Sequence, residues 1–188
     1  MLGGVDALSD QALLDAVGAG ETRAFEVLYE RHGTVVYRIA LRAAGQAQDA
    51  ADATQEAFVH VLERAGELRL TGRLSTYLYP VVVRLARRAR ERAGRATAGS
   101  DALAEALEGL AAGDTAPQAD ARAALAPALA RLPEAQREAL LLRHADGFTV
   151  QEAAAALDCP EGTVRSRVHL ALEALRSDPI ATRLLGPP

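Results

Sequence analysis

The sequence predicts an all-α protein of two small helical domains joined by a flexible linker. Apolar residues recur at helical spacing along most of the 188 residues, and no segment alternates like a half-buried strand. The composition agrees, because 49% of the residues are hydrophobic and only 4% are aromatic. The apolar residues are mainly Ala, Leu and Val, and Ala and Leu favour helices. A change of composition at residues 96–121 marks the linker.

Glycines divide the first predicted domain, residues 1–95, into five helices. Ser9 and Asp10 are suited to cap the first of them. Gly33 is expected to end the second helix and Gly45 to end the third. The five helices are expected at 10–18, 21–32, 35–44, 49–65 and 75–93.

Apolar residues at helical spacing form the expected core of this domain. The second, third and fourth helices each carry such a face. The residues expected on these faces are Phe25, Leu28, Tyr29, Val35, Val36, Ile39, Ala40, Phe58, Val61 and Leu62.

The segment 96–121 is rich in Ala, Gly, Asp and Thr, and it contains five acidic residues but no Arg. Within it, residues 102–112 have the propensity for a short helix but few large apolar side chains to bury. A flexible linker over the whole segment is therefore the better prediction. The second domain then spans 122–188.

The second domain is predicted to end in a helix-turn-helix. Two helices come first, at about 121–131 and 133–146. Thr149 and Glu152 then form a capping box in front of a short apolar run. After a tight turn, the final helix covers about 160–176. A short capped helix, a turn and a longer second helix are the proportions of a DNA-binding helix-turn-helix.

The two sides of the final helix differ in character. Val164, Val168, Leu172 and Leu175 share one side and are expected to pack inward. The polar residues at its leading end are Glu161, Thr163, Arg165, Ser166, Arg167 and His169. Arginines in this position can bond to guanine edges or contact phosphates. An ordinary helical hairpin with solvated arginines fits the same pattern, and the spacing alone leaves both interpretations open.

Three stretches resemble sigma factors of bacterial RNA polymerase, of the extracytoplasmic-function (ECF) type. Residues 160–176, PEGTVRSRVHLALEALR, are similar to the helix of region 4 that recognises the minus-thirty-five element. Residues 129–157 are similar to the first half of the same region. Residues 28–62 resemble region 2, whose signature is present as Asp52-x-x-Gln55-Glu56-x-Phe58.

The resemblance implies a promoter-recognition subunit that is not an enzyme and needs no cofactor or metal. Its expected partners are core RNA polymerase, promoter DNA and an anti-sigma factor. Asp52, Gln55 and Glu56 are expected to bind the polymerase. Residues 68–73 are a candidate for holding an unstacked base. The minus-ten element is assigned to Arg73, Arg84, Arg87, Arg88 and Arg92. The minus-thirty-five element is assigned to Glu161, Thr163, Arg165, Ser166, Arg167 and His169.

The sequence departs from the family pattern at several expected contact positions. Arg84 and Arg88 stand where Asn and Asp are usual, and Leu62 stands in place of a Trp. Leu170 and Leu172 replace residues that are often Arg. The predicted minus-ten surface is therefore more basic than usual, and the final helix has fewer potential phosphate contacts.

The composition argues against a membrane-spanning, secreted or disulfide-bonded protein. No run of apolar residues is long enough for a membrane span, the N-terminus lacks a signal peptide, and Cys159 is the only cysteine. The expected compartment is the cytoplasm. The net charge of −4 hides an arginine cluster at 84–95. The principal alternative is a dimeric helix-turn-helix regulator that acts without polymerase. A purely structural helical protein would leave the arginine cluster unexplained.

Overall fold

A computed structural model describes residues 5–94, 100–108 and 125–178 of the chain. The chain divides into two compact units, Met1–Arg95 and Ala96–Pro188. All the regular structure within the described ranges is α-helical, which confirms the predicted all-α class. The helices of the first unit are α1 (Asp10–Gly18), α2 (Thr22–Ala44), α3 (Ala47–Arg64) and α4 (Leu74–Arg92). The helices of the second are α5 (Ser100–Glu108), α6 (125–130), α7 (Glu134–His144), α8 (Val150–Ala156) and α9 (Glu161–Arg176).

The core of the first unit lies where α2, α3 and α4 pack against one another, and α1 packs against α2. Ser9 caps α1 as predicted, because its hydroxyl oxygen accepts a hydrogen bond from the amide of Ala12. Gly45 ends α2 in the left-handed conformation, with φ at 78°. The largest fully buried side chains of this unit are Leu13, Leu14, Leu28, Val36, Ile39, Leu41, Phe58, Val61, Leu74 and Leu78.

The prediction that Gly33 separates two helices is wrong, because α2 runs unbroken through it. A glycine inside a helix costs about 1 kcal/mol relative to Ala, but apolar residues are buried on both sides of this one. Gly33 is itself buried, and an added Cβ would lie 3.4 Å from the ring of Tyr29. The glycine therefore lies inside a buried part of the helix, in contact distance of an aromatic ring, instead of ending the helix.

Two apolar residues expected in this core are largely exposed. Leu62 is 43% exposed and Tyr29 is 45% exposed. The buried face of α3 is formed by Ala53, Ala57 and Val61 among others. Leu62 follows Val61 by one residue, which rotates its side chain about 100° away from that face. The expectation that both residues belong to the core is corrected accordingly.

The second unit forms its core around α6, α7 and α9, with α8 packed against α9. Thr149 and Glu152 form the predicted capping box at the start of α8. Asp158 then adopts φ of 48° in the turn that leads to α9. The predicted helix-turn-helix is thus confirmed in its geometry. Val164 and Leu175 are buried as expected, while Val168 and Leu172 are partly buried against the core.

Part of the segment predicted as linker belongs to the second unit. Residues Ser100–Glu108 form α5, and Leu103 and Leu107 are buried in the same cluster as Leu129 and Leu140. The prediction of a linker over all of 96–121 is therefore corrected for α5. Two leucines one turn apart were enough to dock a helix, although the segment has few large apolar residues. Residues 95–99 and 109–124 lie outside the described residues.

Candidate protein-binding and nucleic-acid-binding surfaces

Asp52, Gln55 and Glu56 lie together on the exposed side of α3. Their spacing of three and four residues brings them onto one helix face. Ala53 and Ala57, on the opposite side, are buried and hold the helix against the core. We call the three exposed residues the acidic face. A carboxylate and amide surface of this kind is suited to a basic protein partner.

The acidic face continues into exposed apolar side chains that the sequence did not predict to be accessible. Val59 and Leu62, 48% and 43% exposed, follow Gln55 at spacings of four and seven residues. On α2, the ring of Tyr29 lies 4.8 Å from that of Phe58. A cavity of about 270 Å³ adjoins them, between α2 and α3. The spacing from Gln55 could have placed Val59 and Leu62 on this face.

Three arginines form a stripe along α4. Arg84, Arg88 and Arg92 are exposed at spacings of four residues, and Arg87 is exposed beside them. Among the described residues, no carboxylate pairs with the first three. Arg90 differs, because it is half-buried and donates a hydrogen bond to the carbonyl of Ala43 at 2.9 Å. We call Arg84, Arg88 and Arg92 the basic stripe.

The segment 66–73 connects α3 to α4 and borders a cavity of about 560 Å³. Gly72 and Arg73 line this cavity together with residues of α1 and α2. Arg73 is half-buried and occupies the N-cap position of α4 without a side-chain cap of its own. The residues that line the cavity are Ser9, Asp10, Gln11, Arg31, His32, Leu70, Gly72 and Arg73.

Asp10 links three elements at the edge of this cavity. Its carboxylate lies 2.6 Å from Arg31 Nη1 and 2.8 Å from His32 Nε2. The Leu74 amide also donates to it, at 2.9 Å. Burial alone would raise the pKa of Asp10. The close approach of His32 Nε2 and the hydrogen bonds from the Leu74 amide and Arg31 outweigh burial and hold that pKa well below its usual range. Asp10 thus fixes the start of α4 from α1.

The polar residues of α9 are not equally accessible. Glu161, Arg165, Ser166 and His169 are exposed, whereas Thr163 is half-buried. Arg165 forms an ion pair with Glu161 at 2.7 Å. Glu161 accepts from one of the five guanidinium N–H groups of Arg165, and the others remain for contacts to a base edge.

Arg167, which the sequence assigned to the minus-thirty-five element, is half-buried. Its guanidinium lies 3.7 Å from the sulfur of Cys159, in the turn before α9. His169 lies 3.6 Å from Glu173. Leu170 is 45% exposed, while Leu172 packs partly against the core. The two leucines therefore differ in accessibility.

Comparisons with known proteins define the class of this chain. Residues 28–96 match the family model of Sigma-70 region 2, and residues 122–175 match that of Sigma-70, region 4. The first match contains the acidic face and the basic stripe, and the second contains α8 and α9. The two-unit helical fold is therefore that of a sigma-70-type chain, a family that is not an enzyme family.

The relatives specify the subfamily. The ECF RNA polymerase sigma factor SigM of Mycobacterium tuberculosis is 34% identical over 184 residues, which are 98% of this chain and 88% of that protein. The chain belongs to the ECF sigma factors of RNA polymerase.

Solved structures agree on the fold. The structure of CnrH in complex with the cytosolic domain of CnrY has a TM-score of 0.65 at 21% identity, and the match covers 94% of this chain and 96% of that one. The structure of RpoE in complex with the anti-sigma factor NepR from Bartonella quintana has a TM-score of 0.55 at 21% identity. That match covers 83% of this chain and 94% of the other. Within the described ranges, no helix is long and apolar enough to cross a membrane.

Proposed function

We propose that this sigma factor binds core RNA polymerase through the acidic face and contacts promoter DNA through the basic stripe and α9. The observation that carries the proposal is the separation of charge between two neighbouring helices of the first unit. The acidic face occupies the exposed side of α3, and the basic stripe occupies α4. One surface is suited to a basic protein and the other to phosphates.

The acidic face, with Val59 and Leu62 beside it, is the proposed polymerase-binding surface. Charged groups at a protein interface favour the correct partner and accelerate its association. Apolar groups beside them contribute free energy when they are removed from water, about 25 cal/mol per Å². The charged and the apolar residues are both exposed on successive turns of the same side of α3, which supports this assignment.

The basic stripe, with Arg87 beside it and Arg73 at the start of the same helix, is the proposed minus-ten surface. Arg84, Arg88 and Arg92, which have no carboxylate partner among the described residues, are available for phosphate contacts. Separating the strands costs free energy, which a site for an extruded base can return. The cavity bordered by segment 66–73 is the proposed site for that base.

The proposed minus-thirty-five surface is the exposed side of α9. Glu161, Arg165, Ser166 and His169 are the exposed candidates for base contacts, and the half-buried Thr163 lies beside them. Arg167 is proposed as a phosphate or base contact that must first leave Cys159. The exposure of Leu170 limits the phosphate contacts available further along the helix.

An anti-sigma factor is the proposed regulatory partner, and the cytoplasm is the proposed compartment. A structural neighbour, RpoE of Bartonella quintana, is bound to such a factor. An anti-sigma factor that covers the acidic face would compete with polymerase for the same side chains. Adding polymerase should then release the anti-sigma factor from this protein.

Binding of core polymerase tests the proposal most directly. Asp52→Ala combined with Glu56→Arg should keep the fold, because both residues are exposed, and should weaken core affinity at least tenfold. Asp6→Ala combined with Glu30→Arg carries the same charge change on other exposed carboxylates and is the control. Equal affinities for the two double variants would remove the assignment of the acidic face.

Binding of promoter DNA, measured with and without polymerase, tests the alternative of a regulator that acts without polymerase. The free chain should bind duplex promoter weakly, and the holoenzyme should bind and open it. Tight sequence-specific binding by the free chain, unchanged by polymerase, would favour the alternative instead. A mobility-shift titration with and without core polymerase measures both quantities.

A further inference from the structure

The backbone of segment 66–73 is held from outside by one side chain of α1. The carbonyl of Leu68 accepts a hydrogen bond from Gln11 Nε2 at 3.2 Å. The amide of Leu70 donates one to Gln11 Oε1 at 2.8 Å. These backbone groups lie on either side of Arg69. A single amide side chain therefore pairs with the segment in the way that a neighbouring strand would.

The hydrogen-bonding capacity of the Gln11 amide nitrogen is fully used. Nε2 donates its second hydrogen to Asp15 Oδ1 at 3.0 Å. Asp15 also lies 3.5 Å from Arg69, and Arg69 donates to the Leu68 carbonyl at 2.9 Å. The amide of Gln11 is thus held in one orientation by contacts on both α1 and the segment. Gln11 also lines the cavity, but both hydrogens of its amide nitrogen are already used, so it has no donor left for a ligand there.

We infer that Gln11 is a positioning residue for base capture, acting through the backbone of Leu68 and Leu70. The inference rests on the proposed function, in which segment 66–73 borders the site of an extruded base. Leu70, Gly72 and Arg73 line the cavity, so a shift of the segment changes the shape of that site. Asp10 fixes the far end of the segment through the Leu74 amide. Gln11 fixes the middle of the segment, so two residues of α1 hold the backbone that borders the site.

Three variants separate the contributions of Gln11. Gln11→Met has nearly the same length but makes neither hydrogen bond to the segment. Gln11→Glu keeps an acceptor for the Leu70 amide and loses the donor to the Leu68 carbonyl. Asp15→Asn is the control, since it removes a charge near Arg69 but keeps an acceptor for Gln11. Circular dichroism and core-polymerase affinity establish that each full-length variant is folded.

The test is a scan with abasic sites. The probe is a single-stranded non-template oligonucleotide from a promoter selected in vitro with the wild-type holoenzyme. An abasic site is placed at each position of its minus-ten segment in turn, and the affinity of each holoenzyme is measured. In the wild type, one position should lose roughly tenfold in affinity, since contacts to a single base commonly contribute that much.

At that position, the affinity for the intact oligonucleotide divided by the affinity for the abasic one measures how well the base is held. A general loss of protein stability would lower both affinities and leave this ratio unchanged. With Gln11→Met the ratio should fall to about twofold or less, while affinity for the abasic oligonucleotide stays at the wild-type value. Gln11→Glu should give an intermediate ratio, and Asp15→Asn should keep the full one. If Gln11→Met fails to fold, Gln11→Glu decides in its place.

Two outcomes overturn the inference in different ways. A full wild-type ratio in a folded Gln11 variant would refute the positioning role and leave base capture intact. If the wild-type holoenzyme shows no sensitive position, base capture by this segment is wrong, and the role of Gln11 falls with it.

Discussion

Replacing Asp10 with Ala should loosen the attachment of α4 to α1. The substitution removes the acceptor of the Leu74 amide, which is the equivalent of a missing helix cap and costs about 1 kcal/mol. It also leaves His32, which is 3% exposed, without its carboxylate partner, at a cost of roughly 1–3 kcal/mol. Arg31 is more accessible, so its lost ion pair adds little. The total loss is about 2–4 kcal/mol.

Amide hydrogen exchange of the full-length chain measures this loss where it occurs. If α4 exchanges through opening of the first unit, a loss of this size accelerates its exchange roughly 30-fold to 1,000-fold. Asp6→Ala is the matched control, because it removes an exposed carboxylate paired with Arg23 and should change stability by less than about 1 kcal/mol. Equal exchange in the two variants would show that Asp10 does not anchor α4.

The dependence of stability on pH gives a second measurement of the same site. Because the pKa of Asp10 is lower in the folded state than in the unfolded chain, its carboxylate stabilises the fold fully above the unfolded value, near 3.9. That contribution is lost as the pH falls below this value towards the folded pKa. Urea unfolding followed by circular dichroism should therefore show a steeper acid destabilisation in the wild type than in Asp10→Asn.

Three further predictions concern the DNA surfaces and α5. Arg84→Ala with Arg88→Ala should slow promoter opening, followed by permanganate reactivity of unpaired thymines, more than it weakens the closed complex. Arg165→Ala should cost roughly 1–3 kcal/mol on the matched minus-thirty-five duplex and much less on a scrambled one if the contact is to a base; equal losses on both would indicate a phosphate contact. Leu103→Asp with Leu107→Asp should lower the urea midpoint of the second unit, whereas Glu105→Gln, an exposed change on the same helix, should not.

Local patterns in the sequence predicted the parts of the fold that depend on local contacts. The capping box of Thr149 and Glu152 and the left-handed end of α2 at Gly45 are examples, because each is determined within a few residues. Gly33 shows the limit of this reasoning. The same residue type ends a helix or continues it, and the surrounding tertiary contacts decide which. Here the ring of Tyr29 lies against it.

The error over α5 arose from judging a segment by its own composition. Leu103 and Leu107 are few for an isolated helix, which would not be stable at this length. They are sufficient to stabilise α5 when they pack against apolar residues of α6, α7 and α9. The complementary surface lies in another part of the sequence, so composition within 96–121 could not reveal it.

The candidate surfaces differ from the cavity in how far the sequence could predict them. The acidic face and the basic stripe each lie on one helix, and their helical spacing placed them correctly on exposed sides. The cavity is assembled from contacts between α1, α2 and segment 66–73, and Asp10 shows why such contacts escape prediction. The sequence predicts that Asp10 helps to cap α1, but in the structure its neighbour Ser9 provides that cap. The carboxylate of Asp10 instead satisfies the first amide of α4, 64 residues away. Since Arg73 supplies no side-chain cap there, α4 depends on α1 for its starting point. Changes in α1 should therefore alter DNA opening even though none of the arginines assigned to DNA lies on α1.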